Sequence, residues 1–220
     1  FSNYCFDYCI NTAAYTQVEQ AEINKKQAFL VNAKGVKNLA KQCKKSNTVL
    51  IQISTDYVFD GKKRTPYTEE DQPNPINVYG TSKLKGEMFV KEFCEKYYII
   101  RTSWLYSNYG HNFYNSIIKS VEEGRGLKIT TEQTGTPTNA IDLSEAILKI
   151  ISFNSNNFGV FHISNTGKST WYDFAKAIFD QIDQANMSKL EKVNYFSTFA
   201  ERPLFSVLNT EKYTEVFGFL

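Results

Sequence analysis

The segments TVLIQIS (Thr48–Ser54) and YIIRTS (Tyr98–Ser103) carry near-continuous apolar runs with no regular polar–apolar alternation. A strand with one face in water alternates, whereas a strand covered on both faces does not. Each segment therefore predicts an interior strand of a sheet with helices on both sides. Helical patterns flank them. One runs from about Asn24 to Lys45, with Ala28, Val31, Val36, Leu39 and Ala40 as its apolar face. Another runs from Val78 to Lys96, behind a turn containing Pro73, Asn74, Pro75 and Asn77. Phe6–Asn11, FDYCIN, reads as an earlier strand end. Strand, helix, strand, helix, strand predicts a doubly wound parallel sheet.

The second half is less regular. Asn112–Glu123 reads as a helix ending at Gly124, and Leu127–Thr130 as a short strand. Asp142–Ile151 is a helix, Gly159–Ile163 a strand, and Trp171–Ile182 an amphipathic helix behind Ser169 and Thr170 as candidate caps. The expected division is a sheet domain over 1–110 and a smaller α/β lobe over 111–220, with 139–165 returning to the sheet. A length of 220 residues suits one large domain or two small ones.

Several function classes fall away. Twenty-five basic and 23 acidic residues give a net charge of +2, too balanced for nucleic-acid binding by bulk charge. No apolar run approaches the ~18–20 residues of a membrane helix. Cys5, Cys9, Cys43 and Cys94 form no CxxC pair, and His111 and His162 are the two histidines, so the spacing argues against a zinc site. The reading is free thiols in a reducing cytoplasm. No basic and then apolar leader is visible. The chain begins at Phe1, and its methionines are Met88 and Met187, so it reads as a processed or truncated chain.

Three strands end in polar or aromatic residues: Asn11-Thr12-Ala13-Ala14-Tyr15-Thr16, Ser54-Thr55-Asp56-Tyr57 and Ser103-Trp104. Ligands of open α/β sheets bind outside the carboxyl ends of the strands, so these segments converge on one edge. Ala13 and Ala14 are small enough to let a flat ring or sugar approach the backbone. The next helix opens with Tyr79-Gly80-Thr81-Ser82-Lys83, and Tyr79 and Lys83 share a face. A free tyrosine, with a pKa of ~10, is a poor acid at neutral pH. A nearby ammonium is expected to lower that value, letting the tyrosine exchange a proton with a substrate oxygen. The Thr55 hydroxyl is placed to hydrogen-bond the same oxygen. A YxxxK spacing alone arises by chance, and a lone Trp is usually core. The order STD, then YxxxK opening a helix, then a strand is what a short-chain dehydrogenase requires.

Longer motifs are more specific. NTAAYTQVEQAE (Asn11–Glu22), STDYVFDG (Ser54–Gly61), PYTEEDQPNPINVYGTSKLKGE (Pro66–Glu87), RTSWLY (Arg101–Tyr106), GHNF (Gly110–Phe113), QTGTPT (Gln133–Thr138), STWYDFAKAIF (Ser169–Phe179) and ERPLFS (Glu201–Ser206) together resemble dTDP-4-dehydrorhamnose reductase, an extended short-chain dehydrogenase family. The resemblance implies the rear half of a doubly wound NAD(P)-binding Rossmann domain with a smaller α/β substrate-binding lobe. It implies reduction of the 4-keto group of a dTDP-sugar with NADPH or NADH, giving dTDP-L-rhamnose. Thr55, Tyr79 and Lys83 match the catalytic triad, with Tyr79 as proton donor and Lys83 also holding the nicotinamide ribose. Ala13, Ala14, Tyr15, Thr16 and Ile53 match the cofactor side. Thr55, Asp56, Trp104, Asn112 and Arg202 match the substrate side, Arg202 as a bidentate diphosphate partner. The alternative role for Arg202 is a surface ion pair. A homodimer and a Mg²⁺ ion are suggested by the resemblance alone.

One departure stands out. Such a fold begins with a strand, a glycine-rich turn and a helix whose N-terminus holds the pyrophosphate. Here the first glycine is Gly35, inside a helical pattern. Two overlapping βαβ units, roughly 60–80 residues at ~30 or more each, are missing. The resemblance therefore implies an active full-length protein and a segment that alone holds NADPH poorly. Two alternatives remain open from the sequence: a non-catalytic regulatory subunit like the methionine adenosyltransferase β subunit, and another nucleotide-sugar epimerase or dehydratase.

Overall fold

A computed structural model describes residues 4–182 and 187–219. In chain order the first half comprises β1 (Tyr8–Asn11), α1 (Val18–Ile23), α2 (Lys25–Phe29), a π-helical segment (Leu30–Gly35), α3 (Val36–Ser46), β2 (Val49–Thr55), α4 (Val78–Phe93) and β3 (Tyr97–Thr102). The second half comprises β4 (Leu105–Tyr106), α5 (Phe113–Glu122), β5 (Leu127–Thr130), β6 (Thr134–Gly135), β7 (Thr138–Asn139), α6 (Ala140–Phe153), β8 (Gly159–His162), β9 (Ser169–Thr170), α7 (Trp171–Phe179), β10 (Leu190–Val193) and α8 (Glu211–Phe217).

The main sheet runs β1-β2-β3-β8, and every pairing in it is parallel. Its two faces explain the continuous apolar runs. Leu50 and Ile99 point to one side and pack with Val36, Ala40, Cys43 and Val90. Ile51, Tyr98, Ile100 and Phe161 point to the other and pack with Leu143, Ala146, Ile147, Ile150, Tyr213 and Phe217. Neighbouring residues of one strand thus serve opposite cores, so neither can be polar. At about 25 cal/mol per Å², each large side chain fully buried this way contributes roughly 1.5–3 kcal/mol.

A second cluster joins α5 and α7 through Ile117, Ala175, Ile178, Phe179 and Leu190, beside the parallel β5–β10 pair. Shorter pairings lie between these regions. β4 pairs with β7, and Tyr67 bridges Leu208. Among the described residues, no helix is long and apolar enough to cross a membrane, and no group of three or more His, Cys, Asp or Glu is placed to hold a metal.

The structure departs from the sequence expectation in several places. The helix expected over Asn24–Lys45 is split by a π-helical turn at Leu30–Gly35. The helix expected to reach Lys96 stops at Phe93, where Cys94 turns extended with φ −125°. The helix expected to reach Ile182 ends at Phe179. Of the two expected caps, Thr170 caps α7 by accepting from the Asp173 N–H at 3.1 Å, while Ser169 lies in the β6–β9 pairing. The two-residue strands are too short for any periodicity to betray.

Candidate active site

The carboxyl ends of β1, β2 and β3 and the start of α4 enclose a cavity of about 190 Å³. Thr12, Ala14, Thr16, Ile53, Ser54, Thr55, Asp56, Tyr79, Lys83, Thr102, Ser103 and Trp104 line it. Thr55, Tyr79 and Lys83 thus meet in one space. Of the other expected residues, Ala14, Thr16, Ile53, Asp56 and Trp104 line it too. Ala13 and Tyr15 are not among its walls. Their turn is pinned from behind: the Ala13 N–H donates to Asn11 Oδ1 at 3.2 Å, and Asn32 clamps Tyr15.

The start of α4 is fixed by several bonds. Asn77 caps it, its Oδ1 accepting from the Gly80 N–H at 2.7 Å. The Glu22 carboxylate accepts from the Val78 N–H at 2.7 Å, a favourable placement at a helix N-terminus. Gly80 lets this turn press against β2's end, because a Cβ there would run into the Tyr57 carbonyl oxygen. The Tyr79 ring then meets the Tyr57 ring edge-on, with centroids 5.6 Å apart. Thr55 caps the 3₁₀ turn Asp56–Val58, accepting from the Tyr57 N–H at 3.2 Å and donating to Asp56 Oδ1 at 3.1 Å.

The electrostatics overturn one expectation. Lys83 does not lower the Tyr79 pKa. Burial pushes the phenol above its ordinary value, a Thr55 hydrogen bond opposes this, and Asp56 and Tyr57 add to it. The Lys83 ammonium instead donates to the Ile53 carbonyl at 2.6 Å. Burial pushes Lys83 down to about 8, with the Glu87 carboxylate opposing. Burial pushes Asp56 up to about 6. Tyr79 is therefore a neutral donor at pH 7, the state needed to protonate an oxygen.

A wider cleft leads away from this cavity. A space of about 520 Å³ shares Thr16 and Trp104 with it and adds Glu19, His111, Asn112, Phe113, Trp171 and Arg202. A third, of about 320 Å³, shares Phe113, Trp171 and Arg202 and adds Lys128, Thr130 and Gln133. Trp104 takes φ 45°, a region costing of order 1–3 kcal/mol for a bulky residue. In this conformation its indole stacks on Trp171, with centroids 3.6 Å apart and planes 6° apart. Arg202 bonds Glu19 through Nη2 at 2.8 Å, and its buried Nε lacks a partner among the described residues. Asn112 lines the cleft, but its amide is engaged: Oδ1 caps α5, and Nδ2 donates to Ser107 and Tyr109 carbonyls.

The sequence reading missed Asn32. It sits in the π-helical turn with its Oδ1 accepting from the Tyr15 N–H at 2.8 Å. Its Nδ2 donates to the Tyr15 carbonyl and the Ser82 hydroxyl, each at 3.0 Å. One signal was available: Asn32 falls on the buried stripe Ala28, Val36, Ala40, where a polar residue needs a specific partner. Thr12, Ser54 and Ser103, in the strand-end segments expected to converge, line the cavity as well, and Thr102 is a wall the sequence reading did not single out.

Parallel strands presenting Thr55 and a helix presenting Tyr79 and Lys83 to one cavity define the short-chain dehydrogenase class. The family model described as RmlD substrate binding domain matches residues 1–220. A dTDP-4-dehydrorhamnose reductase of Sinorhizobium fredii is 38% identical over 221 residues, covering 96% of this chain and 75% of that protein. One from Escherichia coli K12 is 37% identical, covering 96% and 74%. The crystal structure of the Bacillus anthracis dTDP-4-dehydrorhamnose reductase in complex with NADP superposes with a TM-score of 0.91 at 40% identity, covering 97% of this chain and 75% of that one. The chain belongs to the dTDP-4-dehydrorhamnose reductase family.

Proposed function

We propose that the protein reduces the 4-keto group of dTDP-4-dehydro-L-rhamnose with NAD(P)H, giving dTDP-L-rhamnose. The observation that carries this reading is the meeting of Thr55, Tyr79 and Lys83 in one cavity that opens into an aromatic cleft. The cavity suits the nicotinamide end of a dinucleotide. Ala14 and Ile53 offer a small apolar wall, Lys83 has ammonium protons beyond the one given to Ile53, and the buried Thr102 hydroxyl has no partner among the described residues. Among the described residues, no glycine-rich strand–turn–helix exists for the pyrophosphate. The bound cofactor supplies hydride to the keto carbon.

The residues of this chain do the rest. Tyr79 gives its phenolic proton to the keto oxygen as negative charge develops there, and Thr55 orients that oxygen. Lys83 holds positive charge under the phenol and offers donors to the ribose. Asp56 and Trp104 bound the sugar, and Arg202, which lines the cleft, places its positive charge beside a diphosphate. The test is loss of reduced-nicotinamide absorbance when the full-length protein meets dTDP-4-dehydrorhamnose, with UDP- and GDP-4-keto sugars as controls. Absence of turnover with the dTDP sugar overturns the proposal.

Gly135 supplies a test of the cleft. A Cβ there would lie 2.5 Å from Trp104 Cε2, so Gly135→Ala displaces the indole from Trp171. The expected result is a rise in KM for the sugar nucleotide of roughly threefold to tenfold, matching one aromatic contact of ~0.5–1.5 kcal/mol. The KM for NADPH should not move.

A further inference from the structure

Glu87 is nearly inaccessible, at 1% exposure, yet carries a carboxylate into the layer between α4 and the sheet. Three bonds hold it. Oε1 accepts from the Ser54 hydroxyl at 2.5 Å and from Arg101 Nε at 3.0 Å, and Oε2 accepts from Arg101 Nη2 at 2.7 Å. These partners are adjacent to the site: Ser54 precedes Thr55 on β2, and Arg101 lies two residues before Ser103 on β3. Glu87 itself lies one helical turn after Lys83, on the same side of α4.

Arg101 is held from behind as well. Its Nη1 lies 3.5 Å from His162 Nε2, and His162 Nδ1 lies 3.0 Å from the Tyr67 carbonyl. An arginine can only donate and a carbonyl only accept, so His162 is the neutral tautomer with its proton on Nδ1. Burial, aided by the Arg101 charge, pushes His162 down to about 3. The histidine therefore adds no charge, and of the Glu87–Arg101 pair the carboxylate is the member whose charge acts on Lys83.

Among the described residues Lys83 has no such partner, and its ammonium donates to the uncharged Ile53 carbonyl. Glu87 on α4 is the ionisable group whose charge acts on it; Tyr79 and Asp56 line the same cavity, and Arg101 lies behind Glu87. On the outer side of α4 the π-helical segment brings Asn32, which is uncharged. We infer that Glu87 is a positioning residue: fixed by Arg101 and Ser54, it keeps the Lys83 ammonium charged beside Tyr79 and ties α4 to the strands that carry the rest of the site. The inference rests on the proposed reductase site and goes beyond it in naming what sustains the lysine's charge.

Two measurements test it. The first is the Lys83 titration midpoint, followed by NMR of ¹³C-lysine-labelled protein and assigned with Lys83→Arg. The second is the alkaline limb of the kcat/KM profile of the full-length enzyme. Wild type should have the highest midpoint and Glu87→Gln the lowest, because Arg101 then stands unopposed. The double variant Glu87→Met/Arg101→Met should lie between. The drop in Glu87→Gln should be about one pH unit or more, the size expected for loss of a close opposite charge. If Glu87→Gln does not fold, the double variant, with both charges removed, carries the test alone. A folded variant whose Lys83 midpoint matches wild type overturns the inference. A shifted midpoint in a protein that never turns over the dTDP sugar supports the Glu87 role and overturns only the reductase reading.

Discussion

Tyr79→Phe is expected to lower kcat about 10²–10⁴-fold, the usual contribution of a positioned general acid. The substitution removes one oxygen and keeps the ring, so the edge contact with Tyr57 at 5.6 Å survives. Substrate affinity should therefore hold while turnover falls, the signature of an interaction made only in the transition state. The raised pKa strengthens the argument. A phenol pushed up by burial stays protonated across the neutral range and releases its proton only to a stronger base, which the developing alkoxide is. Lys83, pushed down to about 8, then marks the alkaline limit: activity should fall as pH rises through that value and the ammonium is lost. Steady-state kinetics from pH 6 to 10 on both proteins check this. A Tyr79→Phe enzyme with wild-type kcat removes Tyr79 from the chemistry.

What the sequence made legible followed from how local the cause was. The sheet was readable because Leu50 with Ile99 and Ile51 with Ile100 serve opposite cores, which leaves an unbroken apolar run in each strand. The site was readable in part because strand ends in a parallel sheet must converge on one edge. Thr55 lies on that edge, and Tyr79 and Lys83 join it because the Asn77 cap and the Glu22 bond fix the start of α4 beside it. Two features were hidden. The π-helical turn at Leu30–Gly35 has no composition of its own, and it is fixed by what Asn32 reaches, the Tyr15 backbone and Ser82. The expected effect of Lys83 on Tyr79 failed for a related reason. Spacing places the two on one helix face but says nothing of the Ile53 carbonyl that takes the ammonium, or of how dry the cavity is. Glu87 and Arg101 each interrupt a buried stripe. Only their partnership across α4 and β3 makes either tolerable, and pairing in space is not written in one chain's order.

That partnership sets the largest expected effect on stability. Arg101→Met should destabilise the fold by about 3–5 kcal/mol, because it strands a carboxylate that water cannot reach. The pair is bidentate, both side chains are 1% exposed, and Ser54 alone cannot compensate Glu87. Against a total of about 5–15 kcal/mol for an ordinary domain, the loss threatens folding at working temperature. Glu87→Met/Arg101→Met should recover most of it, since a pair of apolar side chains of similar volume avoids the desolvation that both charges incur. Urea unfolding of the three proteins gives the comparison directly, with equal m-values showing that the unfolding reaction is the same. A double variant no more stable than the single would mean that the cost comes from packing around Phe59, whose ring lies 5.2 Å from the Arg101 guanidinium, and not from the stranded charge. A recovered double variant that folds well but loses turnover at a lower pH than wild type would separate the two duties of Glu87. Its bond to Arg101 would then be replaceable by apolar packing, and its charge near Lys83 would not.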